Sequence, residues 1–186
     1  MSGEHSLVTL KPLLRRTGYP FVDVGAATIG AFHRKPDFQE LTVEDLDAVA
    51  DFIAERYVRD PLKSFLSCIF PNAGYVNANM GAPKREEEIR RTLYGYHEEP
   101  RPDAPKCTFC GRPAGSVAFR QHIPLTAGGG QMNFGPGGRA GSPVCGICLL
   151  CVQAMPLGCA MRCNGRLLLV EAGDQRATEA RRRVTR

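Results

Sequence analysis

Four of the eight cysteines fall in two pairs of one form, Cys107-Thr-Phe-Cys110-Gly111-Arg112 and Cys145-Gly146-Ile-Cys148. A gap of two residues lets both thiolates of a tight turn face one metal ion, and the glycine beside a sulfur permits that turn. Two such pairs complete a tetrahedral four-sulfur shell with no open coordination position, the arrangement of a structural zinc. The 34 residues between the pairs exceed a finger loop and suit a zinc ribbon with an inserted loop. Cys107, Cys110, Cys145 and Cys148 are therefore the expected ligands of a structural Zn²⁺.

An iron–sulfur cluster is the rival. Cys145, Cys148 and Cys151 match the first three positions of C-x2-C-x2-C-x3-C-P, but the residue before Pro156 is Met155, so the fourth ligand is missing. Cys151, Cys159 and Cys163 read as buried thiols, and Cys68, within the apolar run from Phe65 to Phe70, reads as a core residue.

Between the pairs lies Arg120-Gln121-His122-Ile123-Pro124-Leu125, with Asn133 further on. A histidine between CxxC pairs resembles the layout of HNH nucleases, where it activates water beside a divalent metal. His122 and Asn133 are the candidates for that alternative. Gln121 stands where such a site needs an acidic or histidine ligand, and Leu149, Leu150 and Cys151 stand where it needs a later histidine. His122 reads better as a hydrogen-bonded structural or contact residue, and the expectation is a protein that is not an enzyme.

Seven glycines lie between Leu125 and Gly141. No Gly-Lys-Ser/Thr follows them, so this is not a P-loop. Such a loop can still approach a nucleic-acid backbone closely, and Arg112, Arg120, His122 and Arg139 are the candidate nucleic-acid contacts around it.

These groups need elements to hold them. Thr42-Val43-Glu44-Asp45 resembles a capping box with Asp in place of Glu. It opens a run with apolar residues at Val43, Leu46, Val49, Ala50, Ile53 and Tyr57, which predicts an amphipathic helix over 43–58. The small residues Gly25, Ala26, Ala27, Gly30 and Ala31 would let a helix there approach a neighbour closely. Residues 61–70 form a short apolar segment stopped by Pro71, and Lys84 to Tyr94 reads as a charged surface helix ended by Gly95. Three prolines among charges at 98–106 mark a boundary. Arg166 to Val170 reads as a buried strand, and Thr178 to Arg183 begins a basic helix with neither cap nor core partner, so the chain reads as a truncated product.

The 186 residues are 43% apolar and 23% charged, an ordinary globular composition that excludes disorder, collagen and coiled coil. No run reaches the ~18 apolar residues of a membrane helix, and no secretory leader is legible. Eight cysteines without a secretion signal argue for reduced thiols in a cytoplasmic protein. The net charge of +5 is uneven. Residues 1–100 carry 12 Lys and Arg against 15 Asp and Glu, a net of −3, and residues 101–186 carry 12 against 4, a net of +8. The expected class is α+β: a helical region at 1–100, a zinc-ribbon-like region with a Gly-rich loop at 101–165, and a strand with the start of a truncated helix at 166–186.

Taken in order, several segments resemble one family, the CXXC–CXXC large subunit of type I-A/I-B CRISPR surveillance complexes, fruiting-body developmental protein T type. They are Thr17-Gly18-Tyr19-Pro20-Phe21-Val22-Asp23-Val24-Gly25, Leu41 to Leu46, Leu62 to Leu66, Phe70-Pro71-Asn72, Cys107 to Pro113 and Gln121 to Leu125. The series continues with Asn133-Phe134-x-Pro136-Gly137-Gly138, Pro143 to Cys148, Pro156-Leu157-Gly158 and Gly165 to Val170. Members are several times longer, so the resemblance covers their N-terminal part only. It implies a non-catalytic subunit in antiviral defence that holds guide RNA, helps recognise the short motif beside the target in duplex DNA, and assembles with other effector subunits. Sequence reading is then left to base pairing.

Overall fold

The computed structural model describes residues 16–35, 37–126, 140–163 and 166–168. Five helices carry the fold: α1 (Pro20–His33), α2 (Val43–Tyr57), α3 (Leu62–Ile69), α4 (Ala82–Leu93) and α5 (Gly146–Ala154). Two short antiparallel ribbons join them. Strand β1 (Ser116–Ala118) pairs with β2 (Ser142–Val144), and β3 (Ala160–Cys163) pairs with β4 (Arg166–Leu168). The α+β expectation holds at this level, as helices with small two-stranded sheets. The second ribbon covers the start of the expected strand at 166–170, whereas residues 169–170, the helix at 178–183 and the loop at 127–139 lie outside the described residues.

Helix α2 forms where the periodicity places it. Asp45 N donates to Thr42 Oγ1 at 3.4 Å, and Thr42 N donates to Asp45 Oδ2 at 2.8 Å, closing the capping box. Aspartate also suits this position for another reason: its carboxylate takes Lys35 Nζ at 2.5 Å and lies 3.4 Å from His33 Nδ1, tying the start of α2 to the end of α1. Burial alone would raise its pKa, but the bonds from Lys35 and the Thr42 amide, with His33 nearby, outweigh burial and hold the carboxyl below its ordinary range. Leu46, Val49, Ile53 and Tyr57 are buried on the inner face, each contributing about 1.5–3 kcal/mol by leaving water.

Helix α4 starts two residues earlier than the charge pattern suggests, because Pro83 fits the first turn, where its missing N–H is no loss. Its inner face is Ile89 and Leu93. Helix α3 corrects one expectation. Leu66 and Ile69 point inward while Cys68 is exposed, since a position two residues from Leu66 falls on the opposite side of a helix. Cys68 is not a core residue.

The centre of the molecule is α5. Apart from Gln153 it is apolar all round, and it is almost wholly buried, as a helix enclosed on every side must be. Helix α1, equally apolar, packs along it and along the 3₁₀ turn Met155–Gly158. Gly25 makes this possible: a Cβ there would lie 1.7 Å from the Cys151 carbonyl oxygen. One hydrophobic cluster thus runs from Val22 to Cys159 and holds residues from both sides of the proline-rich segment at 98–106. Among the described residues no helix is long and apolar enough to cross a membrane.

The fully buried Gln153, Tyr57 and Tyr75 are paired with one another. Gln153 accepts from Tyr57 Oη at its backbone carbonyl and from Tyr75 Oη at its side-chain oxygen, both at 2.8 Å, and its Nε2 donates to the His122 carbonyl at 2.8 Å. This network fastens the Arg120–Leu125 segment to α5 and α2.

Candidate metal centre

The first cysteine pair lies on a hairpin. Lys106 bridges Pro113, Cys107 N donates to the Arg112 carbonyl at 2.6 Å, and Gly111 N donates to the Cys107 carbonyl at 2.9 Å. Gly111 adopts φ +76°, a left-handed conformation that favours glycine. The second pair is built differently. Cys145 is the N-cap residue of α5 and Cys148 lies in its first turn, so a helix start faces a hairpin turn. The β1–β2 ladder brings them together, pairing Ser116 with Val144, the residue before Cys145. Thr108 N adds a bond to the Pro143 carbonyl at 2.9 Å.

The ligand atoms of Cys107, Cys110, Cys145 and Cys148 all lie within 4.8 Å of one another, and those of Cys110 and Cys145 are 3.5 Å apart. Four sulfurs at about 2.3 Å from a tetrahedral zinc have a comparable spread. Cys107, Cys145 and Cys148 are buried and Cys110 is half-buried. Among the described residues this is the one grouping of three or more His, Cys, Asp or Glu placed to hold a metal.

The electrostatics of the bare cluster favour a cation. Cys107 is held low because Cys145 and Cys148 donate to its sulfur, against the effect of burial. Cys145, giving its proton toward Cys107, is pushed up to about 12. Cys148 is pushed higher still, by donation to Cys107 and Cys145 and then by burial. Cys107 is thus the favoured thiolate, while Cys145 and Cys148 hold their protons until a positive charge replaces them. The positive dipole end at the start of α5 favours the thiolate form of Cys145 and Cys148, the form that binds a metal. The donor set and spacing therefore fit a divalent metal held by thiolates.

The cluster is clamped from outside. Gly146 presses on the backbone after α4, where a Cβ would lie 2.2 Å from Tyr96 N and 2.3 Å from the Gly95 carbonyl carbon. Phe109, between the first two cysteines, meets Tyr19 edge to face with centroids 4.7 Å apart. Cys151 is buried in α5, and Cys159 is buried with its thiol on the Met155 carbonyl at 3.2 Å, so both are packing thiols as their spacing suggests.

The other candidate residues do not converge on this centre. His122 is half-buried; Nδ1 accepts from Phe119 N at 3.4 Å, its carbonyl accepts from Gln153, and burial lowers its pKa. Arg120 is exposed and is held by Asn72, whose amide oxygen, turned toward the guanidinium, accepts from Nε at 3.3 Å. Arg112 lies half-buried on the hairpin. Asn133 and Arg139 lie outside the described residues. Sequence reasoning missed Gln153, Asn72 and the Tyr19–Phe109 contact; only Gly146 carried a readable signal, as the glycine inside a cysteine pair. Comparison of the chain with protein-family models, with curated proteins and with solved structures found no match.

Proposed function

We propose that the chain is a zinc-stabilised, non-catalytic, nucleic-acid-binding part of the large subunit of a type I CRISPR effector complex. The observation that carries the reading is the all-cysteine cluster, with four sulfurs within 4.8 Å. Four thiolates fill the tetrahedral shell of zinc and leave no position for substrate or water. The bound ion supplies structural cross-linking: Cys107 and Cys110 fix the hairpin, Cys145 and Cys148 fix the start of α5, and the two segments cannot part without losing a ligand.

The nucleic-acid half of the reading is supported by the +8 charge of residues 101–186. Assembly with guide RNA and neighbouring subunits in antiviral defence rests on the family resemblance, from Thr17 to Val170. A structural role for His122 is supported by the bond from Phe119 N to its Nδ1 and by the bond from Gln153 to its carbonyl, which hold the segment on α5. Co-purification with the neighbouring effector subunits and their guide RNA is the direct test. Retention of both through size exclusion supports the assignment, and a chain recovered alone, folded and zinc-loaded, refutes it.

A further inference from the structure

Tyr19 is 43% exposed, yet its position is fixed. The Asp23 carboxylate accepts from Thr17 N at 2.8 Å, Thr17 Oγ1 at 2.7 Å and Gly18 N at 3.1 Å. The turn that delivers Tyr19 is thereby locked before α1 begins. The ring then meets Phe109 at an interplanar angle of 71°, edge to face. Phe109 leans on the core from the middle of the Cys107–Cys110 turn and remains half-exposed. Neither ring contributes a metal ligand, and together they form an aromatic step at the surface of the metal hairpin.

The hairpin that carries Phe109 contributes cations only, and the one carboxylate of the Tyr19 turn, Asp23, is taken up by Thr17 and Gly18. Lys106 and Arg112 are the charged residues of the hairpin 106–113, and the sequence from Ala104 to Ala118 contains no acidic residue. Lys106 is exposed and has no ion-pair partner among the described residues. The Lys106–Pro113 bridge sets it beside the strand that carries Arg112. Pre-positioned rings lose little freedom on binding a flat partner, and cations flanking them match a phosphate chain.

We propose that Tyr19 and Phe109, with Lys106 and Arg112, form a contact for single-stranded nucleic acid, one base stacking on the aromatic step and adjacent phosphates meeting the two cations. The proposal rests on the nucleic-acid-binding reading above and names the surface that carries it. Every base offers a π-face, so the contact tolerates any sequence. Inside a duplex both faces of a base are already stacked on its neighbours, so duplex binds less well.

The test uses the zinc-loaded full chain and fluorescein-labelled oligouridylate of about 15 nucleotides, beside a duplex of equal length. Wild type should prefer the single strand. Tyr19→Ala should weaken binding roughly 5- to 150-fold, the range for loss of one base–aromatic stack, without changing the salt slope, while Tyr19→Phe binds as wild type. Lys106→Gln should lower the salt slope by about 0.7. Photocrosslinking with 5-iodouridine supplies a readout on wild type itself, with adducts expected on the peptides containing Tyr19 or Phe109. Undiminished binding by Tyr19→Ala, a preference for duplex, or adducts confined to other peptides would overturn this surface alone. Failure of folded, zinc-loaded wild type to bind any nucleic acid at low salt would overturn the nucleic-acid reading as well.

Discussion

A Cβ on Gly25 would lie 1.7 Å from the Cys151 carbonyl oxygen, so α1 and α5 meet backbone to backbone. The helix that begins at the cysteine cluster is therefore the one on which α1 rests. Order at the cysteines and order at α1 are coupled through that contact and through Tyr19 on Phe109.

Gly25→Ala should be among the most damaging single-methyl substitutions in the chain. The obstacle is backbone, which cannot rotate away, so the cost belongs at the upper end of overpacking, about 3 kcal/mol. Urea unfolding of the zinc-loaded protein measures it. A loss under ~1 kcal/mol would mean that α1 shifts to accept the methyl.

Gln153→Leu should cost about 2–4 kcal/mol, because it leaves the Tyr75 hydroxyl and the His122 carbonyl buried without their partner. Adding Tyr75→Phe should recover part of that loss by removing one orphaned hydroxyl. Denaturant midpoints of the two single variants and the double variant read this coupling, and strict additivity would show that the network is not cooperative.

The parts legible in the sequence are those with local signatures. Cysteine spacing named all four clustered residues, and the 3.6-residue period with Thr42 and Asp45 placed α2 almost to the residue. What stayed hidden depends on distant segments meeting. Gln153 reads as an ordinary polar residue until Tyr57 and Tyr75 are brought to it, and Tyr19 reads as a helix-start aromatic until Phe109 arrives. The exposure of Cys68 stays hidden because the six residues from Phe65 to Phe70 are too few to reveal which side of their helix faces water.

Cys110→Ser should reduce the metal content from about one zinc per chain, the requirement of a single four-sulfur site, to near none. Cys68→Ser should leave it unchanged, since that thiol is exposed on α3 away from the cluster. Elemental analysis of both variants separates ligand cysteines from the rest. Equal metal in the two would remove the assigned ligand set, and a metal-free wild type would remove the site.

Metal affinity should rise steeply with pH. In the bare cluster Cys145 is pushed up to about 12 and Cys148 higher, so at neutral pH both carry protons that the incoming ion must displace, whereas Cys107 is held low and releases none. Raising the pH makes those protons easier to lose, so binding strengthens upward and fails on acidification. The logarithm of the apparent zinc constant should therefore climb with a slope of at least two between about pH 6 and 8, one unit for each displaced proton. Competition against a chelating dye, corrected for the dye's own titration, gives the slope. Calorimetry in buffers of different ionisation enthalpy counts the same protons independently. A flat profile would mean that the thiols are already ionised in the metal-free protein, and that the hydrogen bonds converging on Cys107 do not hold its neighbours protonated.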